Sequence, residues 1–508
     1  RRIAEIEAET ARQTTEFMVG LFEVSDPSEA LGNTITAREI LDKGAARIDE
    51  ELVDQPEIQA TLMDTMGTVY TSLGLYDAAY TMVGKSVQRR RSIFGEKHLA
   101  VAQSLNHLGE VQALRADYDA AEQNLRDALA VRRDLLGNED PEVADTLVQL
   151  AYVLTEKGDY ESAAPLIRES LEIRRNVYGE SHPDVADSLE DLGLNMYDQG
   201  NYAESVELLR QAVAMRRDTQ GDLHPALAYS INNLAFVVSE AGTLEEAEAL
   251  WREALTMQRR LLGDEHPEIA ANMSNVAYAL YAQGNYDEAE STYREVIDLQ
   301  KRVLGETHPA VAETLHALAF LMYEKGDANT AIAFARQSLD IKREVLGNDH
   351  PDVASSLNAI AMWTMESGDY ASAEPVLRES LEIRIGALGR EHPAVAGSMT
   401  LLANCLVGNG EYEEALSLAR EAQAAYTAAL SADHWRTAVA VGAEGAALAC
   451  QRNFAAAEPL LLQSHAVLTQ DPNAMSVFVT EASRRLESLY SEWGRPSDAA
   501  KFRRRADD

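Results

Sequence analysis

The sequence predicts an all-α chain in which one two-helix unit is repeated in tandem. Three observations carry this. First, G-x-x-H-P recurs at Gly179, Gly221, Gly263, Gly305 and Gly347 in steps of 42 residues. His98, His182, His224, His266, His308, His350, His392 and His434 keep the same phase, and Asp140 fills the one gap. Second, another marker holds that period: Gly74, Gly158, Gly200, Gly242, Gly284, Gly326, Gly368, Gly410 and Gly494, with Ala116 and Arg452 as exceptions. Third, the segments between markers have helical periodicity, as in Leu147, Leu150, Ala151 and Leu154 at i, i+3, i+4 and i+7. Fixed-period self-similarity of this length is the signature of a repeat array.

Each element follows from local chemistry. The opening RRIAEIEAETARQTTEFMVGLFE reads as a helix of mixed charge, SDPSEALGN as a turn-rich stretch, and ITAREILDKGAARIDEEL as a second helix, with Gly32 lying 42 residues before Gly74. Residues 1–55 are therefore expected to be a helical cap or linker and 56–508 the array, whose eleventh unit is truncated. An end cap is what a stack needs to cover its first apolar face. Within a unit, a leading helix such as 141–157 stops at a glycine able to take positive φ. A trailing helix opens at Tyr160, is carried by Ala163, Leu166, Leu171 and Ile173, and stops at Gly179. Ser181, His182 and Pro183 then supply capping atoms and a proline suited to the first turn of the next helix. No stretch alternates β-branched residues, so strands are not expected.

HEAT and armadillo arrays also have periods near this length. Small residues seven before the turn (Gly109, Ala151, Gly193, Ala235) and five after it (Ala121, Ala163, Ser205, Ala247) let paired helices approach closely. Aromatic residues two after the turn (Tyr76, Tyr118, Tyr160, Tyr202) wedge between units. This pattern resembles the tetratricopeptide repeat, and with the G-x-x-H-P loop and the SLxxLA helix it looks like the kinesin-light-chain type. The resemblance implies a right-handed superhelical solenoid of about eleven units. The segment around 14–80 resembles the join between anchor or kinase regions and repeats in bacterial serine/threonine kinases. The chain has no H-R-D, D-F-G or A-P-E, so no catalytic residue is carried over.

Composition narrows the function. Apolar residues make up 46% and charged residues 25%, as in a folded chain. Asp and Glu number 83 against 45 Lys and Arg, a net charge of −38, which argues against nucleic acid or an anionic membrane as partner. Two cysteines, Cys405 and Cys450, exclude a disulfide framework, and both are expected to be buried small residues. No apolar run is long enough to span a bilayer, so no membrane insertion is expected; a cytoplasmic location is favoured, with an extracytoplasmic one if the parent is a membrane-anchored kinase. The chain opens on Arg1, which reads as an excised or processed piece. Metal ligands must lie about 2 Å from one ion, whereas packed helices are ~8–10 Å apart. The phased histidines are therefore read as caps, and neither a metal nor a cofactor is expected. Without hydrolase or nucleotide motifs, the segment is expected to have no catalytic activity.

What remains is a surface. Positions ten, six and three before the turn form an i, i+4, i+7 stripe on each leading helix. The first column includes Asn106, Glu190, Asn232, His316 and Asn358; the second Tyr152, Leu194, Phe236, Tyr278, Phe320 and Met362; the third Tyr197, Tyr281, Tyr323 and Met365. Asn233 and Asn275 lie beside the first column, and INNLA at Ile231 matches the stretch whose asparagines line the cargo-peptide groove of kinesin light chains. If leading helices face the concave side, as the resemblance implies, these residues line a groove for a protein or peptide. Glu156, Asp198, Glu240, Glu324 and Glu366 on its rim would favour a basic ligand. The alternative is that the aromatics pack against the next unit. The trailing helices carry a basic column, Arg90, Arg132, Arg174, Arg216, Lys342 and Arg384, which on an outer face would be a stripe for an anionic partner and is read instead as pairing with neighbouring acids and helix C-termini. Two further readings stand: a recruiting arm of a kinase, and a scaffold that self-associates through the end left apolar by SDAAKFRRRADD.

Overall fold

The computed structural model describes residues 12, 15, 37–471 and 473–503. Apart from Arg12 and Thr15, the expected first helix, the turn-rich stretch after it and Gly32 lie outside the described residues, as do 504–508. The second cap helix is present as Ala37–Glu51. It packs Leu41 and Ile48 into a cluster with Leu62, Met66, Tyr70 and Val83 of the first repeat. Among the described residues every regular element is a helix. Eleven leading–trailing pairs follow, from Pro56–Ser72 with Tyr76–Phe94 to Ser476–Glu492 with the short Pro496–Ala499.

The 42-residue punctuation has a direct backbone cause. At the turn inside each repeat the marker glycine sits at positive φ, as at Gly74 (72°) and Gly158 (77°). There the Gly74 N–H donates to Thr71 O and the Leu75 N–H to Tyr70 O, closing the helix end. Ala116 and Arg452 take the same left-handed conformation, φ 59° and 61°, without the freedom of glycine. At the loop between repeats, every phased histidine is the N-cap of the next leading helix. In the repeats at His98 and His224, Nδ1 accepts the N–H of Ala100 and Ala226 at 3.2 Å. Asp140 Oδ1 accepts from Glu142 at 2.9 Å, so the odd member of the series does the same work with a carboxylate. Such a cap contributes about 1 kcal/mol.

Close helix approach depends on the small columns. A Cβ on Gly109 would lie 2.6 Å from Leu125 Cγ, and one on Gly193 2.9 Å from Leu209 Cγ. Ala151, Ala163, Ala235 and Ala247 are likewise buried. The chain divides into two compact units, one ending at Met257 and the other starting at Gln258. In the first, a core around Leu147, Leu150, Ile167 and Leu189 joins successive repeats. In the second, Leu377, Met399, Leu402 and Leu418 do the same. At the C-terminal end, Phe502 stacks on Tyr490 with ring centres 5.9 Å apart and meets His465 edge-on at 5.3 Å. The end expected to be left apolar is thus partly covered by the chain's own tail.

Candidate binding face

The leading helices place the three columns in different environments. The second column is exposed at Tyr152, Phe236, Tyr278, Phe320 and Met362 and half-buried at Leu194. In the first unit Tyr152 and Phe236 are 45% and 42% accessible; in the second, Tyr278, Phe320 and Met362 are 46%, 37% and 38% accessible. Large side chains left this open on a helix whose other sides are packed form an unusual apolar surface. Third-column residues are half-buried and link neighbouring repeats. Tyr197 meets Phe236 edge-on at 5.2 Å. Tyr323 stacks on the buried Trp363 at 5.4 Å, and Phe320 meets the same indole edge-on at 5.1 Å. Tyr281 instead lies 5.9 Å from Tyr286 of its own repeat. Some of the rings thus pack across repeats, while Tyr152, Phe236, Tyr278 and Phe320 keep exposed surface.

The first column belongs elsewhere. It faces inward, onto the basic column, which is buried rather than on the outer face. Arg90, Arg132, Arg174 and Arg216 are all under 10% accessible. Each sits between its own repeat and the next leading helix. Arg90, Arg132, Arg174 and Arg384 each donate to the backbone oxygen ten residues on, at the start of that helix (Ala100, Glu142, Asp184, Ala394; 2.8–3.0 Å). They also donate to a buried hydroxyl fourteen residues on (Ser104, Thr146, Ser188, Ser398). Helix C-termini are not their targets. Lys342 reaches Ser356 in the same way, and at Gln300 the hydroxyl of Thr314 donates to the amide oxygen.

Several asparagines expected to hold a ligand are used up here. Asn358 is buried and donates to Ser398 at 3.0 Å, so it does not face a groove. Asn233 donates to Glu190 Oε1 at 2.7 Å, and the buried Glu190 also accepts from Ser230 (2.6 Å) and Arg216 (2.8 Å). Asn106 is half-buried, with its amide oxygen 3.5 Å from Arg132 Nη1. Asn232 and Asn275 are half-buried beside these junctions. His316 is half-buried too, edge-on to Phe320 at 4.9 Å, and its buried Nδ1 has no hydrogen-bond partner. The inward turn has a plain cause: in a stack the position ten before the turn is covered by the following repeat, so a polar side chain there must find an internal partner.

Electrostatics differ from junction to junction. Burial works against ionisation of Asp64, but His107 (3.1 Å), Arg90 (3.3 Å) and Ser104 (2.7 Å) hold its carboxyl below the usual range. Burial works against the charged form of His107 too, but the bond to Asp64 together with the charges of Asp64 and Glu110 raises it. Burial, with Glu190 beside it, pushes the Asp191 carboxyl up to about 7. Burial and the nearby Lys342 push His316 down to about 4, so its ring is neutral at physiological pH. Cys405 is buried, with its thiol pushed up to about 11, as expected of an inert core residue. Cys450 is instead exposed, because it ends the helix Trp435–Cys450. Among the described residues no group of three or more His, Cys, Asp or Glu is placed to hold a metal, and no helix is long and apolar enough to cross a membrane.

The buried arginine column was missed as an internal strut, although a signal was present. Ser104, Thr146, Ser188, Ser230, Asn272, Thr314, Ser356 and Ser398 recur in phase within apolar helix faces. A polar column on a core face calls for a buried partner.

This repeat geometry coincides with a known family. The tetratricopeptide-repeat profile matches residues 57–134, 142–218, 226–300, 268–344, 324–385 and 352–428. The chain belongs to the tetratricopeptide-repeat family. Among solved structures it is similar to the nearly identical kinesin-light-chain-type repeats of Podosopora anserina, with 27% identity and a TM-score of 0.38, over 41% of this chain and 98% of that one. It is also similar to the apo form of RapI, at 13% identity, covering 74% and 98% of the two chains with a TM-score of 0.50. The apo quorum sensor NprR of B. thuringiensis matches at 12% identity, 74% and 99% coverage and a TM-score of 0.49. No curated protein matches by sequence. The tetratricopeptide repeats of this chain thus present an open aromatic ladder on helices whose remaining faces are committed to packing.

Proposed function

We propose that this tetratricopeptide array is a protein- or peptide-binding scaffold, and that it binds through the second-column residues of its leading helices. The single observation behind this reading is the phased exposure of Tyr152 and Phe236 in one unit and of Tyr278, Phe320 and Met362 in the other. Burying such rings against a partner contributes roughly 25 cal/mol per Å² of apolar surface, less the cost of ordering the partner. The binding residues are then Tyr152, Phe236, Tyr278, Phe320 and Met362, flanked by Tyr197, Tyr281 and Tyr323. Asn232 and Asn275 lie half-buried at their margin. Asn106, Asn233, His316 and Asn358 act on this surface only indirectly, by holding the repeats that carry it.

Photo-crosslinking tests this. A benzophenone amino acid at Tyr278 should capture partners from the source cell's extract, whereas the same group at Glu295, exposed on the trailing helix Tyr286–Leu304, should not. Competition by Phe236→Ala with Phe320→Ala protein should fail, while circular dichroism shows that variant folded. Equal capture from Glu295, or full competition by the double variant, sinks the reading.

A further inference from the structure

We propose that the second unit's aromatic face receives a cationic side chain, Lys or Arg, from a basic peptide segment, seated against Phe320 and Tyr323 between the carboxylates of Glu324 and Glu366. This rests on the peptide-binding reading above and specifies its partner.

The floor of the seat is rigid. Trp363 is 1% accessible and lies under both rings, with Phe320 edge-on to it and Tyr323 stacked on it. The Tyr323 phenol donates to Glu366, an exposed carboxylate of the next repeat. Glu324 is exposed beside Tyr323. Ring faces carry negative quadrupole charge, and a carboxylate at their edge adds to it, so the complementary group is a cation.

The chain's own cations leave this seat unfilled. Lys325, next in sequence to Glu324, is turned away to Asp287 and Glu290. His316, the other basic side chain at Phe320, meets it edge-on. Among the described residues, guanidinium groups lie over Tyr80, Phe334, Trp435, Tyr490 and Trp493, and none over Phe320 or Tyr323.

The C-terminal repeats show the completed version. There the Tyr490 phenol donates to Glu458 at 2.9 Å, as Tyr323 donates to Glu366. Arg495 donates to the same Glu458 oxygen at 2.8 Å, with its guanidinium carbon 4.8 Å from the Tyr490 ring and 5.0 Å from that of Trp493. A phenol bonded to a carboxylate, with a tryptophan close by, recurs at Tyr323, Glu366 and Trp363 without the guanidinium. An incoming Arg or Lys would complete the set. The net charge of −38 would steer such a segment towards the protein from a distance.

The test uses the full chain and three fluorescein-labelled twelve-residue peptides that alternate Leu with Arg, with citrulline or with Glu, measured by anisotropy at physiological salt. The Arg peptide should bind at least about tenfold more tightly than its citrulline isostere. Phe320→Leu, which keeps apolar bulk and net charge, should reduce that ratio to about threefold or less. Glu366→Gln should weaken the Arg peptide, whereas Glu295→Gln, an equal charge change on the trailing helix, should not. If Phe320→Leu fails to fold, the two glutamine variants decide. Equal effects of Glu366→Gln and Glu295→Gln would reduce the attraction to the general acidic field and overturn the proposal. Equal binding of Arg and citrulline peptides, both lost in Phe320→Leu, overturns the cation and leaves the peptide-binding face standing. No binding by any of the three overturns both.

Discussion

The two compact units share one backbone plan but join their repeats with different chemistry. In the first unit the junctions are charged. Asp64, Arg90, Ser104 and His107 form one closed set, and Glu190, Arg216, Ser230 and Asn233 repeat it three periods later. In the second unit no carboxylate stands at the same positions: Gln300 with Thr314, Lys342 with Ser356 opposite an unpartnered His316 nitrogen, and Arg384 and Asn358 with Ser398. The lesson is that the repeat fixes where a polar strut must stand but not its charge. A buried charged strut is costly to break, because removing one partner strands the other in a medium that solvates it poorly. A neutral one costs only its hydrogen bonds.

The largest expected effect breaks this contrast if it fails. Arg216→Met should destabilise the first unit by about 3 kcal/mol, because Glu190 keeps only Ser230 and Asn233 while remaining buried. Lys342→Met in the matching position should cost about 1 kcal/mol or less. Hydrogen exchange followed through urea titration reads each unit separately, and equal losses would mean that junction charge is irrelevant.

A repair should sharpen it. His316→Asp puts a carboxylate opposite Lys342, as Asp64 stands opposite Arg90, and should stabilise the second unit by about 1 kcal/mol at neutral pH. The gain should vanish in His316→Asp with Lys342→Met.

A change of pH should move the two units in opposite directions. Asp191, raised to about 7, penalises the fold when ionised, so the first unit gains stability as pH falls from 7 towards 4. His107 is raised above its free value, so its contribution is lost as pH climbs through the folded value and is present below about 6.5, which adds to the same trend. In the second unit His316 is lowered to about 4 and His465 is lowered by burial. There protonation favours the unfolded chain, and stability falls as pH drops from about 6.5. Hydrogen exchange at pH 7.5 and 5.0 should show slower opening in the first unit and faster opening in the second. A common shift in both would refute the assignment.

The smallest effect should be identical in both units, because it concerns backbone alone. Ala116→Gly and Arg452→Gly each relieve a left-handed residue, and each should add about 0.5 kcal/mol once the extra chain entropy of glycine is subtracted. Differential scanning calorimetry of the two variants provides the baseline for the other comparisons.

Much of this architecture was legible in the residues themselves. The turn glycines, the capping histidines and Asp140, the small columns and the eleven pairs follow from rules that act within a few residues: positive φ, an N–H to be capped, a Cβ with no room. Those rules are local, so sequence suffices for them. The exposed ladder at Tyr152, Phe236, Tyr278, Phe320 and Met362 was legible for the same reason, since helical periodicity decides which side of a leading helix a residue occupies. What only the tertiary structure decided was the fate of polar side chains near the edge of that side. Asn233, Asn358 and Glu190 lie within one turn of the open stripe, yet neighbouring repeats close over them, tying Glu190 to Arg216 and Asn233, and Asn358 to Ser398. Their roles depend on atoms contributed by residues about 26 and 40 positions away. Burial by a neighbouring repeat is a non-local event, and for a polar residue that event decides between meeting a ligand and holding the fold together.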